Sequence, residues 1–277
     1  MKFPGMSRRA TPPFRADHVG SLLRPPELLV ARDEFAAGII DAAQLAAVED
    51  TAIADAVRLQ ENVGLQSATD GEFRADVAAV YAAEVAGLYE LGCRYLQFDD
   101  TIFAFLNDPA WRANASASGL DPDRQHLLNV EVINTALAAK PADMKVTIHM
   151  CRGNYQSAWF SSGGYDFVAE DVFGALAVDG LFLEYDDERS GTFEPLRFVP
   201  DDQVVVLGLV TTKTPELESK DALKRRIDEA AKYVDADRLC ISGQCGFAST
   251  VEGNALTIDQ ERAKLELLVE TAREVWG

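Results

Sequence analysis

Histidine is the scarcest chemistry-bearing residue of this chain: three occur among 277 residues, beside four cysteines and four methionines. So thin a supply excludes a His-rich metal tract, and four cysteines without an extracellular spacing pattern exclude a disulfide scaffold. Positive charge is short as well. Twenty-six Lys and Arg stand against 45 Asp and Glu, a formal net charge of −19, which opposes nucleic acid and anionic membranes as partners. The longest apolar run, Val204–Val210, is far too short to span a bilayer. No apolar stretch follows Arg8-Arg9 as an export signal requires, so a reducing cytoplasm is the expected compartment. A Gly-x-Gly-x-x-Gly after the first strand-like run is also missing, which counts against dinucleotide binding.

What the chain does have is an alternation of β-branched runs and helical periods. Residues 1–17, rich in Pro and Arg, read as an N-terminal arm, and 18–277 as a single domain. Strand-like runs begin at His18 and cover 64–73, 94–99, 145–151, 180–185, 203–211 and 239–245. Between them lie helical patterns over 75–91, 125–139, 166–177, 219–233 and 258–275. An earlier helix starts at Asp41, an N-cap with Gln44 three residues on, and carries Leu45, Val48, Ala52, Ala56 and Leu59 on one face. Such a βα series builds either an open doubly wound sheet or a closed barrel. Polar residues end many different runs: Ser21, Glu72, Asp99, Cys151, Glu184 and Cys245. That distribution predicts a (β/α)8 TIM-type barrel, whose loops converge on one mouth. Seven strands are countable, one short of closure.

Among these run ends, Lys145-Val-Thr-Ile-His-Met-Cys-Arg-Gly is the most informative. On a strand, His149 and Cys151 point the same way, so an imidazole and a thiolate can hold one metal. Leu181-Phe-Leu-Glu-Tyr ends in a carboxylate, and Leu239-Cys-Ile-Ser-Gly-Gln-Cys-Gly-Phe in a thiol. His149, Cys151, Glu184 and Cys245 together form a donor set suited to Zn2+. Cys93 and Cys240, within or at the start of apolar runs, read as core residues.

Six ordered motifs carry a family resemblance. His18-Val-Gly-Ser-Leu, Thr69-Asp-Gly-Glu-Phe-Arg, Tyr95-Leu-Gln-Phe-Asp-Asp, His149-Met-Cys-Arg-Gly, Phe182-Leu-Glu-Tyr-Asp and Gly243-Gln-Cys-Gly-Phe resemble the catalytic half of the cobalamin-independent methionine synthases. They resemble most its short single-barrel bacterial relatives, of the 5-methyltetrahydropteroyltriglutamate–homocysteine methyltransferase-like type. The resemblance runs from about Phe14 to the C-terminus. It implies that His149, Cys151, Glu184 and Cys245 bind zinc, and that His18, Ser21, Glu72 and Asp99 hold the amino acid substrate, homocysteine. A methyl donor, a methylfolate or another, is the second partner it implies. The reaction implied is methyl transfer to the homocysteine sulfur, giving methionine, with Glu184 the ligand that yields to substrate.

Three departures stand out. The folate-binding N-terminal half of the full-length enzymes is missing. Where those enzymes carry a His before Ser-Pro, this chain reads Thr212-Lys-Thr-Pro, so Lys213 stands in the place of a proton-donating imidazole. Relatives also carry a long segment, with at least one barrel strand, where Arg74 here runs directly into a helix. A missing strand leaves two open edges, so a partner chain, as in a homo-oligomer, fills the space, the barrel closes irregularly after Arg74, or a further segment supplies the strand. The other readings the residues allow are alkyl transfer to a different thiol, as with coenzyme M, and a non-catalytic protein that binds zinc or a thiol metabolite.

Overall fold

The computed structural model describes residues 26–36, 39–62, 78–247, 249 and 253–277. The predicted arm, the strands expected near His18 and over 64–73, and the junction at Arg74 lie outside the described residues. So do His18, Ser21 and Glu72.

Helices α1 (Pro26–Ala36) and α2 (Ala42–Asn62) come first. The N-cap expected at Asp41 is there. Gln44 N donates to Asp41 Oδ1 at 2.8 Å and Asp41 N donates to Gln44 Oε1 at 3.0 Å, satisfying two donors that a first helical turn leaves free. Helix α3 (Ala78–Glu90) follows, with Val85 and Leu88 buried.

From here strand and crossover alternate. Strand β1 (Tyr95–Asp100) leads through short α4 (Ile102–Phe105), α5 (Pro109–Ala117) and α6 (Pro122–Leu137) to β2 (Lys145–Met150). A two-residue ribbon, β3 (Asn154–Tyr155) with β4 (Ala158–Trp159), and α7 (Ala169–Val172) separate β2 from β5 (Gly180–Glu184). Then come β6 (Val204–Val210), α8 (Lys220–Ala230), β7 (Leu239–Gly243) and α9 (Ile258–Trp276).

All pairings in the main sheet are parallel, in the order β1-β2-β5-β6-β7. Each of these strands therefore lies beside its predecessor in the chain. A doubly wound sheet reverses its strand order at a switch point, whereas a barrel never does. The architecture is α/β, of the TIM-barrel type.

Alternation along the strands sorts the residues into two faces. Leu96, Val146, Ile148, Met150, Leu181, Leu183, Val205 and Leu207 pack in one large core with Val130, Leu137, Leu223 and Ile227 of the covering helices. The opposite face carries Gln97, Asp99, Thr147, His149, Phe182, Glu184, Val206 and Cys240. Among the described residues, only Phe182, Val206 and Cys240 form a buried apolar cluster there. The inner face is thus apolar in its middle and polar toward the strand ends.

Helical expectation fails at 166–177, where only Ala169–Val172 is α-helix. Tyr165, Val168, Ala169, Val172 and Phe173 are all fully buried, so packing rather than helix propensity shapes the segment, and Gly174 adds a weak helix former. Helices α1, α4 and α5 were not expected. The signal for α5 was nonetheless present: Asp108 accepts from Ala110 N at 2.9 Å ahead of Pro109, a cap followed by proline at the first helical position.

Candidate metal centre

Three strand ends meet on the inner face. His149 lies on β2 with Cys151 just beyond it, Glu184 ends β5, and Cys245 follows β7 by two residues. One ligand atom from each of His149, Cys151, Glu184 and Cys245 lies within 4.8 Å of all the others, and all four residues are buried. Cys245 Sγ donates to Glu184 Oε1 at 2.8 Å, and Cys151 Sγ is 3.2 Å from Cys245 Sγ. His149 Nε2 lies 3.1 Å from the same Glu184 oxygen. Cys151 and Cys245 are both free thiols.

Local backbone aims these groups. Cys151 N donates to Asp100 O at 2.7 Å, extending the β1–β2 ladder past the end of β2. Gly153 then turns the chain with φ +82°, so that its N–H donates to Cys151 Sγ at 3.3 Å. A Cβ at Gly153 would sit 2.5 Å from Phe160 Cβ, and only glycine adopts such a φ at little cost. Glu184 is anchored from behind: its N–H donates to Tyr165 Oη at 2.9 Å, and Gln244 Nε2 donates to its Oε2 at 2.8 Å.

Electrostatics describe a site with more acid than cation. Burial works against charge on both His149 and Glu184, yet each is held in its charged form by the other and by neighbours. The His149 imidazolium is favoured well above its ordinary range by Asp99 and Glu184. Glu184 is pulled down to about 2 by His149, Cys245 and Lys213. The Cys245 thiol is pushed well up by the Cys151 thiol, by burial and by the Glu184 charge. A second anion therefore forms there only if a cation comes with it. Two thiols, a carboxylate and an imidazole converging on one point, with ionisation of a thiol opposed by its own neighbours, fit a divalent soft-to-borderline metal such as Zn2+.

Asp99, read from sequence as a substrate group, has one carboxylate oxygen 2.7 Å from His149 Nδ1. Its side chain stays one-third exposed. Lys213 lies in the loop after β6, and its buried Nζ has no hydrogen-bond partner among the described residues. Its charge acts on Glu184, Cys245 and Asp186. Sequence reading missed Asp186, Gln244 and Tyr165. Burial, together with the Asp187 and Glu184 charges, pushes Asp186 up to about 6. The strand-end position of the Glu184-Tyr-Asp run was the available signal for Asp186; nothing local marked Tyr165, 19 residues before its partner.

The family described as cobalamin-independent synthase, catalytic domain, matches residues 75–274. The chain belongs to that family. The uncharacterized Bacillus subtilis protein YxjG is 38% identical over 364 positions, covering 97% of this chain and 96% of its own. That alignment has far more positions than this chain has residues, so YxjG carries residues that this chain lacks. A crystal structure from Listeria monocytogenes, provisionally named a vitamin-B12-independent methionine synthase, is 32% identical with a TM-score of 0.61, covering 97% of this chain and 100% of that one. The methionine synthase of Pyrococcus abyssi is 26% identical over 63% of this chain and 43% of its own. Among the described residues no helix is long and apolar enough to cross a membrane.

Proposed function

We propose that this synthase-family barrel is a zinc-dependent S-methyltransferase that moves a methyl group to the sulfur of homocysteine, giving methionine. The observation that carries the reading is the convergence of the four ligand atoms of His149, Cys151, Glu184 and Cys245 within 4.8 Å. Bound there, the ion would supply one thing, a thiol substrate kept as thiolate at neutral pH.

The remaining work falls to the chain. Asp99 holds a proton on His149 Nδ1, which leaves Nε2 as the ligand atom. With its Oε2 on Gln244 Nε2, Glu184 would be the ligand of the four with an alternative partner at hand, and so the one suited to yield its place to a substrate thiol. The one-third-exposed carboxylate of Asp99 suits the ammonium group of an amino acid. Transfer breaks the bond between methyl and donor and forms the S–CH3 bond; the donor leaves with the electron pair, and an amine leaving group, as in a methylfolate, also takes a proton. Lys213, a buried ammonium beside the site, is the candidate source of that proton.

The test is a methionine assay by mass spectrometry on zinc-loaded protein with homocysteine. Donors to offer are methyltetrahydrofolate, its triglutamate, methylcobalamin and small methyl sulfonium compounds. Methionine from one of these supports the reading. Tight homocysteine binding with no methionine from any of them would replace it with a binding protein for thiol metabolites.

A further inference from the structure

Three loops converge over the candidate metal centre, one after β2, one after β6 and one after β7. They carry Cys151, Lys213 and Cys245 respectively. One side chain, Asn254, bonds to all three. Its Oδ1 accepts from Ser157 N at 3.1 Å, at the tip of the β3–β4 ribbon. Its Nδ2 donates to Thr212 O at 2.7 Å, the carbonyl just before Lys213, and reaches Gly246 O, next to Cys245, at 3.5 Å. The Asn254 backbone is held in turn, its N–H donating to Phe247 O at 2.8 Å.

The ribbon tip that Asn254 grips is costly backbone. Gln156 and Ser157 have φ of 49° and 68°, the left-handed pair that a two-residue hairpin turn asks for and that Asn-Gly supplies most readily. Such residues persist where the surroundings over-determine them. Here two bonds do so, the Asn254 contact and Ser157 Oγ, which accepts from Ala255 N at 2.8 Å. At the other end of the ribbon Asn154 Nδ2 donates to Gly246 O at 3.0 Å and Ser249 Oγ at 2.9 Å. A carboxamide is required at 254, because one end must accept and the other donate at the same time.

From this geometry we propose that Asn254 is a positioning residue, clasping the Cys151, Lys213 and Cys245 loops so that both thiols stay aimed at one point. The proposal rests on the metal reading above. Replacing Asn254 by Asp keeps the acceptor, removes the donor and sets a negative charge against Thr212 O. The loops should then loosen while the large core beneath the strands stays packed.

Asn254→Asp is compared with wild type in three measurements: zinc content, the rate of zinc transfer to a colorimetric chelator, and the visible spectrum of the Co2+-loaded protein. The expected result is unfolding within a few degrees of wild type, zinc loss faster by about 10-fold or more, and altered Co2+ bands. Equal zinc-transfer rates and identical spectra would overturn the clasp and leave the metal reading intact. A wild-type protein that takes up no zinc overturns both. Should Asn254→Asp not fold, Asn254→Gln, which keeps both polar ends one methylene farther out, is read by the same outcomes.

Discussion

Asp99 and His149 face each other as register partners on β1 and β2, and Asp99 Oδ1 lies 2.7 Å from His149 Nδ1. A ring nitrogen bound by carboxylate fixes the tautomer and orientation of a metal-ligating imidazole. Asp99→Asn can still accept at that position but carries no charge to support the ring. Zinc affinity, by chelator competition, is expected to fall by about 10- to 100-fold. Unchanged affinity would assign Asp99 to substrate alone.

Cys151 and Cys245 should hold zinc and Cys93 should not. Cys93 Sγ donates to Tyr95 O at 3.1 Å, at the opposite end of β1 from Asp99. Cys151→Ser and Cys245→Ser are expected to lose most of the bound zinc by elemental analysis, while Cys93→Ser retains it. Equal retention in all three would sink the donor set.

Gly153 and Gly92 both have positive φ, +82° and +99°, but only Gly153 has a neighbour where a Cβ would go. Gly92→Ala should therefore pay backbone strain alone, on the order of 1 kcal/mol. Gly153→Ala adds a clash with Phe160, for a total of roughly 2–4 kcal/mol in denaturant unfolding, and should also weaken zinc retention. Equal losses for the two variants would show that Phe160 moves aside freely.

Asp179 ties the start of β2 to the start of β5 by accepting from Lys145 Nζ at 2.6 Å, Val146 N at 2.9 Å and Lys140 Nζ at 3.0 Å. Burial alone would raise its pKa, but Lys145, the Val146 N–H and Lys140 together hold it below the ordinary carboxylate value. A folded-state value below the unfolded one means stability that is fully present above about pH 4 and lost as pH falls through the folded value. Asp179→Asn should cost about 1–3 kcal/mol at pH 7, with the gap to wild type closing below about pH 4. A gap independent of pH would show that the loss is not one of charge.

The four side chains that converge at the candidate metal centre, the strand ends that carry them and the Asp41 cap were all legible in the sequence. These depend on alternation and on contacts three residues apart, which the chain states locally. Alternation fixes the face a residue occupies, but not which residue lies opposite. Parallel pairing decided that Asp99 meets His149, 50 positions away, and loop packing that Asn254 meets Ser157, 97 positions away. The burial of Lys213 beside Glu184, and of Asp186 among like charges, likewise needed the strands brought together, because desolvation and Coulomb interaction act through space and not along the chain.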